Sequence, residues 1–174
     1  MSSSETQVRY SKSMIAIHWL TALLVIVAYS VSEGAREVRA DPPVLHFACG
    51  FAVLLLVLPR LFSRACSRLP AAAEAGPRWL TLAATLGHAF LYFLMVGVPL
   101  TGWYALSRLG VAVTFLGFKV PALTAAVHGR IGPIGDVHQI GGNALLVLAG
   151  LHAALGLWHQ FIRRDHTLER MSPF

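Results

Sequence analysis

The sequence predicts an all-α, integral-membrane four-helix bundle, and three observations carry that prediction. The chain of 174 residues is 56% hydrophobic and only 13% charged, about half the charged share of an ordinary soluble domain. Its apolar residues gather into four long runs. Six of its eight histidines fall inside those runs or at their edges.

The first run, MIAIHWLTALLVIVAYSV, predicts a helix over about 13–32. VLHFACGFAVLLLVL predicts a second over 44–63, LTLAATLGHAFLYFLMVGVPLTGWYAL lies in a third over 79–106, and VHQIGGNALLVLAGLHAALGLWHQFI lies in a fourth over 135–163. Each reaches the roughly 20 residues that a helix needs to cross the hydrocarbon core, the second only with its flanks. Backbone polar groups in lipid must be satisfied within the segment, so these runs are helices rather than irregular chain. Residues 1–174 are expected to form one membrane domain. A basic start followed by Ser30-Val31-Ser32 has the outline of a signal peptide. The apolar run is longer than such peptides carry, and His18 interrupts it, so retention as a helix is expected.

The formal charge of +6 reflects topology rather than nucleic-acid binding. Arg9, Lys12, Arg60, Arg64, Arg68, Arg78, Arg163, Arg164 and Arg170 fall on one side of the four runs. Arg36, Arg39, Arg108, Lys119 and Arg130 fall on the other, diluted by Glu33, Glu37, Asp41 and Asp136. Lys/Arg-rich loops stay in the cytoplasm, so both termini are expected there. Trp79 and the Trp103-Tyr104 pair mark the two ends of the third helix as interfacial aromatics. Cys49 and Cys66 would stand about 25 Å apart along a helix, too far for a disulfide, and no Cys-x-x-Cys-His occurs to attach a haem covalently.

Ionisable side chains at membrane depth are costly and mark functional sites. A single buried histidine is as often a neutral ring bonded to a neighbouring backbone. Six of them (His18, His46, His88, His138, His152 and His159) in a chain with few other buried ionisable groups need a common explanation. His138 and His152 are 14 residues apart on one predicted helix, so they share a face and sit about 21 Å apart along its axis. Two imidazoles at two depths suit two metal centres stacked across the bilayer. His46, about two residues into the second helix, is level with His138. At the other depth both His18 and His88 can face His152, and depth favours His18. Glycine follows His46, His138 and His152 by four residues in each case, as Gly50, Gly142 and Gly156, where a missing side chain lets a flat macrocycle approach.

Two imidazoles closing both axial positions of an iron predict electron transfer by two non-covalently held b-type haems. Zinc would need clustered ligands that the sequence lacks. His88 and His159 lie near the cytoplasmic depth, where imidazoles can donate to quinone carbonyls or simply meet lipid headgroups. His128 and His166 read as solvated.

The stretches SMIAIHWLTALLVIVAY, LHFACG, LGHAFLYFLMVGVPLTG, DVHQIGGNALLVLAGLHAALGLWHQF and DHTLERMSP, taken together, resemble the bacterial cytochrome b561 family, and within it the superoxide oxidase type, over nearly the whole chain. The resemblance implies two b haems, oxidation of superoxide and reduction of ubiquinone in the bacterial inner membrane. It implies His18 and His152 as ligands of the inner haem, His46 and His138 as ligands of the outer one, and His88 and His159 at the quinone site. The loop between the third and fourth helices departs most from the family pattern. Its Arg108, Lys119 and Arg130 are candidates for steering the superoxide anion. No obligatory protein partner is expected beyond bilayer, superoxide and ubiquinone. Two alternatives remain at this point: a cytochrome subunit anchoring a dehydrogenase or hydrogenase to the quinone pool, and a haem-free membrane scaffold or small transporter with structural histidines.

Overall fold

The computed structural model describes residues 9–32, 43–66, 77–127, 131–165 and 167–172. Four helices dominate it: α1 (Lys12–Ser30), α2 (Val44–Cys66), α3 (Arg78–Leu109) and α4 (Pro133–Trp158). All four are long and apolar enough to cross a bilayer, the last together with the π turn His159–Arg163 that continues it. Their outer faces are greasy: Leu23, Leu58, Phe62, Phe93 and Leu151 are all exposed. Such a surface is stable only where the solvent is hydrocarbon. The chain is therefore a multi-pass membrane protein.

Side-chain contacts give the topology. His46, early in α2, reaches Ala28, late in α1; Arg60, late in α2, reaches His18, early in α1. His138, early in α4, reaches Val98, well along α3. Consecutive helices thus run antiparallel, with the termini at one end of the bundle and the α1–α2 and α3–α4 connections at the other. α3 packs on α4, α1 on α2, and α2 on α3. Mid-bundle, Val53, Val57, Leu94, Met95 and Leu145 form an apolar core with Leu24 and Val25 against it.

The ends of the helices follow from local chemistry. Ser11 caps α1 by accepting the Met14 N–H. Pro133 opens α4 at a position where its missing N–H costs nothing, and Asp136 in that first turn suits the helix dipole. α3 runs three residues past the expected 106, to Leu109, because Gly110 is the first residue able to take the left-handed conformation, at φ 70°. Gly110 N–H then bonds the Ser107 carbonyl and Val111 N–H the Leu106 carbonyl, a Schellman closure. α2 likewise runs three residues past the expected 63, to Cys66, with Pro59 inside it, so Arg64 is helical as well as Arg60. Breaks of this kind are tolerated in spanning helices when neighbours take up the freed carbonyl.

Between α3 and α4 the all-helical plan acquires a small addition, the hairpin β1 (Val113–Phe115) and β2 (Phe118–Val120). Leu116 and Gly117 turn it, both at positive φ, 49° and 83°. Val113 packs with Phe47 and Leu106, and Phe115 meets Phe51, so the hairpin covers that end of the bundle. Trp103 donates to the Pro121 carbonyl and the Ser107 hydroxyl accepts the Leu123 N–H, tying the loop to α3. At the opposite end a 310 turn (Leu168–Met171) returns beneath α1: Trp19 donates to the Met171 carbonyl, Tyr10 N–H to that of Arg170, and Arg9 to that of Ser172.

Gly110→Ala tests the closure of α3. A Cβ there would stand 3.1 Å from that of Ala126 on a left-handed residue. The variant should lose about 1–2 kcal/mol in denaturant unfolding of the detergent-solubilised protein; unchanged stability would mean that the helix end has another anchor.

Candidate functional site

The histidines assemble at two levels, one near each end of the bundle. On the hairpin side His46 of α2 faces His138 of α4, with ring centroids 5.6 Å apart. The last carbonyls of a helix have no partner within it, and Ala28, two residues before the end of α1, offers its oxygen to His46 Nδ1 at 2.8 Å. His138 Nδ1 lies 2.9 Å from the Val98 carbonyl and 3.2 Å from the Thr101 hydroxyl, which itself donates to Val98. Carbonyl oxygens only accept, so both Nδ1 atoms carry protons and donate them. Both Nε2 atoms therefore present lone pairs, and they point at one another across 3.4 Å. That contact is not a hydrogen bond, because neither neutral ring has a proton to place in it. Two imidazoles so placed, each oriented by its backbone partner, could hold a Lewis acid between them.

A cavity of about 630 Å³ surrounds this pair, lined by both rings and by Phe47, Phe51, Tyr29 and Asn143, among others. Its volume is that of a pocket for a small cofactor. Gly50 and Gly142, one turn beyond each histidine, line the cavity, and a Cβ added at either would meet nothing within 4 Å. Gly102 does the reverse: a Cβ there would stand 2.8 Å from His138 Cε1. Its missing side chain is what lets the His138 ring lie against α3.

On the side of the termini three imidazoles meet. The His152 ring lies 6.3 Å from that of His18 and 5.1 Å from that of His88. His88 Nδ1 donates to the Ala84 carbonyl at 2.6 Å, which leaves Nε2 with a lone pair. His18 is held differently. Arg60 Nη2 donates to His18 Nδ1 at 2.7 Å, and the same guanidinium lies 5.6 Å from the centre of the Tyr92 ring. A guanidinium cannot accept, so in a neutral His18 the proton sits on Nε2. Gly156 also differs from its counterparts, since a Cβ there would meet Leu168 of the 310 turn at 3.9 Å.

Arg60 is the member of this cluster that sequence reasoning counted only among the basic residues of one side, although the expected second helix contained it. The one legible signal was a cation two residues past Leu58, with only Pro59 between, inside the expected helix.

His159 stands apart from the cluster. It opens the π turn, and its Nδ1 bonds Asp165 Oδ2 at 2.5 Å. His88 and His159, grouped from sequence, thus have separate partners, His152 and Asp165. Of the basic residues proposed for steering, Lys119 is exposed on β2, paired across the hairpin with Thr114. Arg108 is half-buried at the end of α3. Arg130, like His128 and His166, lies outside the described residues.

Comparison with known proteins agrees with this architecture along the whole chain. The prokaryotic cytochrome b561 family matches residues 9–174. Cytochrome b561 homolog 1 of Escherichia coli (strain K12) is 30% identical over 171 residues, 95% of this chain and 97% of the relative. A Yersinia pestis protein described as "Probable superoxide oxidase CybB" is 30% identical over 169 residues, 95% of this chain and 96% of the relative. Cytochrome b562 of Cereibacter sphaeroides is 28% identical over 172 residues, covering 93% and 94%. Four spanning helices, histidines paired across them and a match over nearly every residue lead to one conclusion: the chain belongs to the prokaryotic cytochrome b561 family of membrane electron-transfer proteins, which bind b-type haem.

Proposed function

We propose that this protein is a superoxide oxidase of the inner membrane, holding two b-type haems and moving electrons from superoxide on the hairpin side to ubiquinone on the side of the termini. The observation that carries the reading is the approach of His46 Nε2 to His138 Nε2, two ring nitrogens with nothing but lone pairs between them.

Iron bound by imidazole on both sides supplies one-electron redox chemistry at each level. His46 and His138 would hold one such iron, and the open space at Gly50 and Gly142 is where a macrocycle would lie. On the other side His18 and His152, with rings 6.3 Å apart, would hold the second, and Arg60 would have to release His18 Nδ1 for its Nε2 to become a ligand. His88, with Nδ1 already committed to Ala84, is left beside the pair on the quinone side together with His159.

Orientation follows from charge. Arg9, Lys12, Arg64, Arg78, Arg163, Arg164 and Arg170 gather on the side of the termini, which supports a cytoplasmic location for that side. Superoxide then meets the periplasmic side, where Arg108, Lys119 and Arg130 supply a positive field for a small anion. The name of the Yersinia pestis relative supports this choice of donor.

Three outcomes test the reading. His46→Ala and His138→Ala should each remove one haem and spare the other, read as haem per protein and as the alpha band of reduced-minus-oxidised spectra. Gly102→Ala should lower occupancy of the same site, because the added methyl displaces His138; loss of both haems, or of neither, from folded variants would refute the pairing. At the other level His18→Ala should lose the second haem and His88→Ala should keep it; the reverse result would make His88 the ligand. Stopped-flow mixing of the purified protein with superoxide should reduce it without any partner protein, with a rate that falls as salt rises. A protein reduced only by a docked dehydrogenase would be the anchor subunit instead.

A further inference from the structure

The cytoplasmic end of α4 carries a pair of side chains that the haem ligation does not use. After Trp158 the helix widens into the π turn, and Arg164 at φ 56° reverses the chain. A π turn and a non-glycine residue in the left-handed region are both uncommon, and both gather where a side chain has to be aimed. Here the reversal brings Asp165 back to His159, at 2.5 Å from Oδ2 to Nδ1. The second carboxylate oxygen accepts the Thr167 N–H at 3.1 Å, which fixes the group in the turn. Burial pushes the Asp165 carboxyl up, but hydrogen bonds from His159 and Thr167 outweigh it and hold the group below the ordinary carboxylate value. Asp165 is therefore an anion at neutral pH and can only accept, so His159 Nδ1 donates to it.

That leaves Nε2 as the atom of His159 that gives and takes a proton. A quinone carbonyl oxygen also only accepts. It gains nothing from a ring whose Nε2 holds a lone pair, and it can be protonated only by a ring carrying protons on both nitrogens. Such a ring is positive, and a carboxylate against its Nδ1–H balances that charge where lipid limits water. His88 lacks this arrangement, since its Nδ1 partner is the uncharged Ala84 carbonyl. The charged groups around the pair are Arg163 and Arg164 on the same turn, and Glu169 and Arg170 on the 310 turn. Arg163 lies against the Trp158 ring, and Glu169 accepts from Gln160.

We infer that Asp165 is a positioning residue for proton delivery to the quinone, orienting His159 through Nδ1 so that Nε2 passes its proton to a carbonyl oxygen. This rests on the quinone reading above. Two superoxide anions give up one electron each and leave as two molecules of dioxygen. The quinone gains both electrons and takes up two protons: the Nε2–H bond breaks as an O–H bond forms at the oxygen facing His159, and the far oxygen takes its proton from cytoplasmic water. The ring recovers its proton from the same water.

Asp165→Asn keeps the shape of the side chain but removes the charge and one of its two acceptor oxygens. In haem-loaded protein reducing short-chain ubiquinone, it should lower kcat by about tenfold or more, with KM changing far less. Reduction of the protein by superoxide in the absence of quinone should be unaffected, and Asp165→Glu should recover most of the lost rate. Nitrogen NMR of His159 should show Nδ1 protonated in the wild-type protein and mixed tautomers in Asp165→Asn. Gln160→Ala, which cuts a different contact of the tail, should match wild type in both readouts. A wild-type kcat in folded Asp165→Asn, or mixed tautomers in the wild-type protein, would overturn the inference alone. A wild-type protein that passes no electrons to ubiquinone would remove the quinone reading and this step with it.

Discussion

Everything in this bundle depends on how an imidazole is satisfied in a medium without water. Each neutral ring has one N–H and one lone pair, and in hydrocarbon neither can be left idle without a cost of several kcal/mol. At His46 and His138 the N–H problem is solved by backbone carbonyls of other helices, at Ala28 and Val98. Solving it this way turns both lone pairs toward one point. The hydrogen bonds that hold the rings are thus the same interactions that create the site, and they bind α1 to α2 and α3 to α4 as they do so.

Between the two levels of histidine lies an apolar layer in which no such problem arises. Val53, Val57, Leu94, Met95 and Leu145 occupy the stretch of each helix between its polar positions. This layer sets the separation of the two levels and keeps water out of it. The bundle can therefore carry a polar or metal-bearing centre near each surface while its middle remains an ordinary membrane protein interior, packed by dispersion and small residues.

The two ends are closed by different devices, and the difference bears on what each admits. At one end the β1–β2 hairpin packs over Phe47, Phe51 and Leu106, beside a cofactor-sized cavity lined mostly by apolar residues. At the other the tail is strapped under α1 by bonds to backbone carbonyls and presents His159, Asp165 and arginines around the cluster of His18, His88 and His152. Arg60 sits within that cluster as a cation bonded to His18 and lying against Tyr92. An end rich in donors and exchangeable protons suits chemistry in which protons accompany electrons. A mostly apolar end suits a centre that exchanges electrons alone.

How much of this was legible beforehand varies with the physics involved. The low charge, the four apolar runs and the basic asymmetry settle the membrane class from the amino-acid sequence by itself, because transfer into lipid is nearly additive over residues. The spacing of His138 and His152 by 14 residues likewise reports two levels, since it depends only on helix rise and twist. Tertiary structure alone decided the rest. Which nitrogen of each ring is free depends on carbonyls from distant parts of the chain, such as Ala28 for His46 and Val98 for His138. The place of Arg60 depends on how α2 packs on α1, which brings it to His18, and that of His159 on a π turn reversed at Arg164. None of these follows from a periodicity, because hydrogen bonds between helices are directional and are set by how whole helices pack rather than by the residues within any one of them.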